Sequence, residues 1–391
     1  MTYTRHLATL IQQHLAHRKE AIVLTGPRQV GKTRLVKFLF PQATYFTLDD
    51  QPLRDLFDSY SLVAYHQVLP ESGVVVLDEI QHLTDPGRAG KLIYDNFPGL
   101  RLIITGSAGL TIKNKHTESM AGRATSFELL PLTLSEYLTQ LDTPGEILNW
   151  RIWDHLAHHQ PLTQIPTFNP SQLWERILVY GLYPTLVNHA DPEKYLLDLT
   201  ERIIFRDLLD LSLISDKKIA LNLLSLLAYQ IGGLVSYEEL ASRVQIDART
   251  VKRYLDVFEA SYLIYRLYPY NQRERDELVK RPKIYFYDTG VRNALIKSFL
   301  PLSRRKDVGQ LFENWLVMEA VKAKIYHAPA AKLYYWRTKA GSEIDLVIKT
   351  NEALNGIEIK WRQGRVHTAF KARYPEAFVK TITGDTIYPS P

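Results

Sequence analysis

The run Gly26-Pro27-Arg28-Gln29-Val30-Gly31-Lys32-Thr33, with Arg34 after it, spells G-x-x-x-x-G-K-T. These residue types suit phosphate chemistry. The glycines let backbone N–H groups wrap an anion, the lysine ammonium reaches the outer phosphates, and the threonine hydroxyl is offered to Mg²⁺. Asp78-Glu79 follows 45 residues beyond Thr33. The aspartate can hold the magnesium shell, and the glutamate can polarise a water for attack on a γ-phosphate. Thr105 and Ser107 are two candidates for a polar group that touches the terminal phosphate or the attacking water, and the sequence does not choose between them. Arg123 is placed to stabilise transition-state charge if it enters a neighbouring copy's site, although a surface arginine explains it equally well.

Positioning these groups requires particular elements. Ala21–Thr25 is a short apolar strand leading into the glycine loop, and the pattern RLVKFLF after it is helical, so the loop lies between strand and helix as phosphate binding demands. The segment GVVVLDEIQ, Gly73–Gln81, reads as a strand buried on both faces of a parallel sheet, with the acidic pair at its carboxyl end. Leu100–Thr105 and Ala124–Leu130 supply further strands. The fold class expected is therefore α/β with a parallel sheet.

The chain has 391 residues, enough for two or three domains. It contains no cysteine, which excludes disulfides, iron–sulfur clusters, cysteine zinc sites and a thiol nucleophile. The opening MTYTRHLATLI lacks the pattern of an export signal, so a cytoplasmic location is expected. The apolar stretch Ile219–Val235 is interrupted by Asn222, Ser225, Gln230 and two glycines, and reads as a core helix plus a turn. Charge is unevenly placed. Met1–Leu240 carries 21 basic against 26 acidic residues, and Ala241–Pro391 carries 27 against 16. A basic back half of net +11 is suited to a polyanion, of which nucleic acid is the usual one.

Leu132–Asp216 is mostly helical in pattern. His155, His158 and His159 have helical metal-ligand spacing but no specified carboxylate partner, so a solvated histidine face is expected. Arg202 and Arg206 are candidate nucleotide sensors, explained as well by ion pairing with Glu201, Asp207 or Asp210. From Leu234 onward, Ser236 caps one short helix and Asp247 caps a second, ARTVKRYLDVFEA. Val251, Leu255 and Phe258 form the apolar face of that second helix, leaving Arg249, Lys252 and Arg253 outward. Strand, basic loop and strand follow. This is a winged helix-turn-helix pattern, with a helix for the major groove and a wing for phosphates.

The last segment has an amphipathic helix, Asp307–Lys324, carrying Glu313, and then a strand with Glu343 and Asp345 on one face. A loop containing Asn355-Gly356 is expected next, and after it a strand with Glu358 and Lys360 on one face. Such carboxylates could hold one or two Mg²⁺ ions while the lysine orients a hydrolytic water. The charged face of a hairpin is the simpler reading.

Strand, phosphate loop, helix and the Asp78-Glu79 strand resemble the AAA ATPases over about the first 130 residues. That resemblance implies a sensor strand lying between the two strands that carry nucleotide motifs, and a helical lid after the sheet. Asn114-Lys115-His116-Thr117 lacks the aspartate of the guanine-reading N-K-x-D sequence, so adenine is preferred by elimination. The C-terminal pattern, Asp345 followed by Glu358-x-Lys360, resembles the restriction-endonuclease-like motif; this implies Glu313, Asp345 and Glu358 as metal ligands and Lys360 as the catalytic lysine. With GLYPTLV, KIYFYDTGVRNAL, LFENWLV, YYWRTKAGSEIDLVI and IEIKW, the whole chain resembles a prokaryotic family of AAA ATPases fused to a winged helix and a restriction-endonuclease-like domain, catalogued as a domain of unknown function. The domains expected are a P-loop AAA core over 1–131, a helical lid over 132–216, a winged helix-turn-helix over 217–290 and an α/β restriction-endonuclease-like domain over 291–391. The expected function is Mg²⁺-dependent ATP hydrolysis coupled to DNA binding, possible self-assembly included. An ATP-gated nuclease and a protein-remodelling or scaffold ATPase are the alternatives, and no membrane partner is expected.

Overall fold

The computed structural model describes residues 4–107, 120–139, 152–158, 170–207, 214, 216–271, 281–362 and 368–387. Asn114–Thr117, His159 and most of the basic loop after Tyr270 lie outside the described residues. The chain divides into two compact units. The first comprises Met1–Pro131, Arg206–Ser212 and Ala260–Tyr262, and the second comprises the rest.

The first unit is built on five strands: β1 Ala21–Thr25, β2 Thr44–Thr47, β3 Gly73–Asp78, β4 Leu100–Thr105 and β5 Ala124–Glu128. They pair in the order β2-β3-β4-β1-β5, every pair parallel. Every residue of β1 is buried, which is why its sequence runs apolar without alternation. Helices such as Lys32–Leu39 and Pro86–Asn96 make the crossovers that parallel pairing requires. Val23, Val75, Leu77 and Ile104 from the sheet pack with Phe57, Tyr65 and Ile93 from the helices. Because β4 lies between β1 and β3, Thr25, Thr105 and Asp78 end three adjacent strands on one edge.

The second unit gathers the segments 132–205 and 213–391, apart from Ala260–Tyr262. The helix Lys217–Tyr229 starts at Asp216, whose carboxylate accepts from the Ile219 amide at 3.0 Å, and it ends in a turn through Gly232 and Gly233. The stretch Ile219–Val235 is thus helix and turn, and among the described residues no helix is long and apolar enough to cross a membrane. The helices Tyr237–Val244 and Ala248–Ala260 follow. Ser236 accepts from the Glu239 amide at 3.4 Å and Asp247 from the Thr250 amide at 2.9 Å. Each side chain satisfies a helix-start N–H that would otherwise need water. An antiparallel pair, β6 Ile264–Leu267 and β7 Lys283–Phe286, comes next.

The helix Val308–His327 packs on a four-stranded sheet made of β8 Lys332–Arg337, β9 Glu343–Lys349, β10 Leu354–Lys360 and β11 Phe378–Thr383. The order is β11-β10-β9-β8, with β10 and β11 parallel and the other pairs antiparallel. Trp174, Phe312, Trp315 and Trp361 meet largely edge to face, and a second aromatic cluster forms from Tyr270, Trp336, Phe370 and Tyr374. The stretches KIYFYDTGVRNAL and GLYPTLV dock on each other. Asp288 of the first accepts from the Leu182 amide of the second at 2.7 Å, and Asn293 donates to the carbonyls of Leu178 and Val179 just before it.

The structure corrects one local expectation. Asn355-Gly356 does not form a loop: both residues lie inside β10, paired with Ile348 and Val347, and the turn falls at Thr350–Ala353. Tertiary packing outweighs the turn preference of Asn-Gly. A Cβ on Gly356 would stand 3.0 Å from the Phe370 ring, so glycine is needed for close approach, and the Asn355 amide donates to the Ala157 carbonyl at 3.1 Å.

Lys380 on β11 donates to the His155 carbonyl, and burial pushes its pKa down to about 8 from the ordinary 10.5. Between those values the unfolded chain holds a proton that the folded chain lacks, so stability rises as pH increases across that window. Denaturation of the wild type and Lys380→Met at neutral pH and near pH 10 should show the wild type gaining stability relative to the variant at the higher pH. Parallel pH curves would show that the folded chain carries no strained ammonium there.

Candidate functional site

At the carboxyl edge of the first unit's sheet, β1 gives way to the glycine loop. Gly26 has φ 144°, and a Cβ there would lie 2.1 Å from the Leu129 carbonyl oxygen, so only glycine lets the loop leave the strand beside β5. Pro27 and Val30 are buried, Arg28 is half-buried, and Gln29 and Arg34 are exposed. Gly31, with φ 94°, leads into the helix Lys32–Leu39, whose start has no side-chain cap. Such an end presents backbone N–H groups and the positive end of the helix dipole toward the loop. The buried Lys32 ammonium donates to the Gly26 and Pro27 carbonyls at 2.9 and 3.0 Å, which holds its charge inside the loop. Arg5 pins the loop from outside, donating to the Val30 carbonyl at 3.1 Å and also to that of Leu130.

Asp78 is the meeting point of three hydroxyls. Thr33 donates to its Oδ2 at 3.0 Å, Tyr45 to the same oxygen and Thr105 to Oδ1. Burial, together with the bond to Asp78, pushes the Tyr45 phenol far above the ordinary tyrosine range, so it stays a donor. Glu79 stands in the left-handed region, φ 57°, where the strand ends. Its amide donates to Thr105 Oγ1 at 3.4 Å and its carboxylate accepts from the Gln81 amide nitrogen. Gln81 in turn accepts from the Ser107 amide at 3.3 Å. Lys32, Thr33, Asp78, Glu79, Thr105 and Ser107 therefore converge. Of the two candidates on β4's end, Thr105 places its side chain on the acidic pair, whereas the bond described for Ser107 runs through its main chain. Tyr45, Gln81 and Arg5 were not singled out from the sequence. Gln81 could have been found as the residue two places past Glu79, but nothing local marked the other two.

Arg123 is not part of this convergence within its own chain. It precedes β5 at the sheet's opposite edge, since Ala124 pairs with Ala21, and its guanidinium is held by Asp95 at 2.8 and 3.3 Å. In the second unit, His158 pairs with Asp154 at 3.2 Å, and no group of three metal-ligating side chains that could hold an ion is found among the described residues. Arg202 is exposed on the helix Pro192–Asp207, and the side chain of Arg206 lies outside the described part. Arg249, Lys252 and Arg253 are all exposed on the helix Ala248–Ala260, while Val251, Leu255 and Phe258 are buried. Spacings of three and four residues put the three cations on one stripe.

Glu313, Asp345, Glu358 and Lys360 also come together. Lys360 reaches Glu358 at 2.9 Å and Asp345 at 3.4 Å, while the Ile359 amide donates to Asp345 at 2.8 Å. Nothing in the sequence pointed to a fifth member, Lys283 at the start of β7. Its ammonium lies 3.1 Å from Glu313, 2.5 Å from Glu343 and 3.5 Å from Asp345. Burial alone would depress this lysine, but the attraction of Glu313, Asp345 and Glu343 outweighs it and raises the pKa above the ordinary lysine value.

A five-stranded parallel sheet with a phosphate loop after β1, the strand between β4 and the edge strand β5, gives an α/β fold that resembles the P-loop ATPases. Residues 18–138 match an AAA domain, residues 171–302 match a domain of unknown function (DUF8612), and residues 308–387 match another (DUF4143). The uncharacterized protein Rv2008c of Mycobacterium tuberculosis is 28% identical over 351 residues, spanning 88% of this chain and 71% of its own. The uncharacterized protein MJ1637 of Methanocaldococcus jannaschii is 28% identical over 303 residues, spanning 71% of this chain and 63% of its own. Among solved structures, the Walker-type ATPase paby2304 of Pyrococcus abyssi is similar with a TM-score of 0.49 at 14% identity, covering 76% of this chain and 96% of that one. The AAA-domain match and the parallel sheet support ATP binding and hydrolysis by the first unit.

Proposed function

We propose that the chain is a Mg²⁺-dependent ATPase that engages duplex DNA through its basic C-terminal half. The observation that carries the ATPase reading is the 3.0 Å bond between Thr33, the last residue of the glycine loop, and Asp78, the end of β3. It joins the two motifs, 45 residues apart in sequence, at one point. In this reading the backbone N–H groups of the loop from Gly26 to Thr33, Pro27 excepted, and the Lys32 ammonium hold the triphosphate, with Arg28, Gln29 and Val30 inside the loop and Arg34 directly after it. Thr33 and Asp78 offer the hard oxygen donors that Mg²⁺ prefers, and they would hold it. When bound, the ion neutralises charge on the β- and γ-phosphates. Glu79, oriented by Gln81, polarises the attacking water, and Thr105 or Ser107 senses the terminal phosphate. Arg123 serves only across a contact between copies, after release from Asp95.

DNA is favoured over a protein target by the basic stripe Arg249, Lys252 and Arg253 on the helix after Asp247, within a half of the chain carrying net +11. The order of three helices and an antiparallel pair fits a winged helix, in which the last of the three, Ala248–Ala260, meets the groove. Duplex DNA should stimulate ATP turnover and bind with a salt-dependent affinity. Replacing all three cations by alanine should lower the salt slope by about one unit for each phosphate that is no longer neutralised. Turnover and binding indifferent to DNA would instead favour the protein-remodelling alternative.

A further inference from the structure

The carboxylate cluster of the second unit has the residues of a restriction-endonuclease-like metal centre but not the open space such a centre needs. Lys283 is 3% exposed, and its ammonium lies within 3.5 Å of carboxylates from two different elements, the helix Val308–His327 and β9. Each of the three acids facing Lys283 is engaged by a further donor as well. Tyr285 donates to the same Glu313 oxygen as Lys283, at 2.7 Å, and Arg337 stands 3.5 Å from the second oxygen of Glu343. Asp345 Oδ2 accepts from the Ile359 amide and from Lys360. A divalent cation placed between Glu313 and Asp345 would meet a buried like charge in surroundings that screen it poorly.

We infer that the Lys283 ammonium takes the place of the metal ion among Glu313, Glu343 and Asp345, making this cluster an ion-pair clamp that ties β7 to the helix and sheet beside it and leaving the domain without a hydrolytic centre. The assignment is independent of the ATPase reading, since it concerns other residues in the other unit. It also explains why a lysine stands at the first position of β7: the bridge of Lys283 to Leu234 and its pairing with Leu267 fix the backbone from which the ammonium reaches the acids.

The test is Mn²⁺ binding to the full chain without nucleotide, read by electron paramagnetic resonance, together with thermal denaturation. Wild type and Asp345→Asn should take up the same amount of Mn²⁺, and neither should cut plasmid DNA. Lys283→Met should lower Tm by roughly 10 °C in chelator, because it strands buried carboxylates. It should also gain one equivalent of Mn²⁺, which disappears when Asp345→Asn is added. A wild-type site that disappears in Asp345→Asn overturns the inference, as does a Lys283→Met chain of unchanged stability that takes up no metal. A Lys283→Met chain that folds only with Mn²⁺ supports it. If that variant does not fold at all, the comparison of wild type with Asp345→Asn decides alone.

Discussion

Lys32→Ala should abolish ATP binding, whereas Glu79→Gln should keep ATP binding and lose turnover by roughly 10²–10⁴-fold, the span that general acid–base groups contribute. The two variants separate because the groups face different tasks. Lys32 is buried, and its ammonium is carried by the loop's own Gly26 and Pro27 carbonyls, so the loop is organised around a cation that a triphosphate can share. Removing it deletes attraction that exists before any bond breaks, and the loss falls on affinity. Glu79 instead lies past the end of β3, its main-chain amide tied to Thr105 and its carboxylate to Gln81. Glutamine keeps that size and can still accept from Gln81, but it cannot draw a proton from water. Calorimetric titration with ATP and a phosphate-release assay distinguish the outcomes. Wild-type turnover in Glu79→Gln would remove Glu79 from the chemistry, and tight ATP binding by Lys32→Ala would remove the loop from it.

What could be read in the sequence was local. The phosphate loop, the apolar strands around it and the caps Ser236 and Asp247 are each fixed by residues a few positions apart, and there the backbone pattern and the side-chain chemistry agree. The convergence of Asp78 with the loop was legible because parallel sheets collect their strand ends on one edge. Groups that reach across the chain were not legible. Tyr45 meets Asp78 from 33 residues away, and Lys283 meets Glu313 from 30, so no window around either residue carries the partner. Asn355-Gly356 misled for the converse reason. Its short-range turn preference is real, but Phe370 and Ala157 impose a strand on it through tertiary packing the sequence cannot display.

Asp307→Ala should destabilise the second unit by about 3–5 kcal/mol, the cost of leaving buried charge without its partner. Two guanidiniums, Arg292 and Arg305, each with side chains 2% exposed, converge on this one carboxylate at 2.6 and 2.8 Å. Their other donors are placed on the Ala228 and Ser298 carbonyls and on Asn293, so neither arginine can turn to water without breaking further bonds. Burial alone would raise the Asp307 pKa, but donation from Arg305 and the charge of Arg292 overcome it and bring the value down to about 2. As pH falls from the ordinary carboxylate value toward 2, the unfolded chain takes up this proton first, so the stabilisation is complete above that window and is lost within it. Asp307→Asn, which keeps the shape and one acceptor, should start from lower stability and lose less of it on acidification. All six tryptophans lie between Trp150 and Trp361, and none falls in the first unit, so tryptophan fluorescence during urea denaturation follows the second unit alone. A loss below about 1 kcal/mol in Asp307→Ala, the range of an exposed pair, would mean that the two arginines find solvent or other partners once the carboxylate is gone.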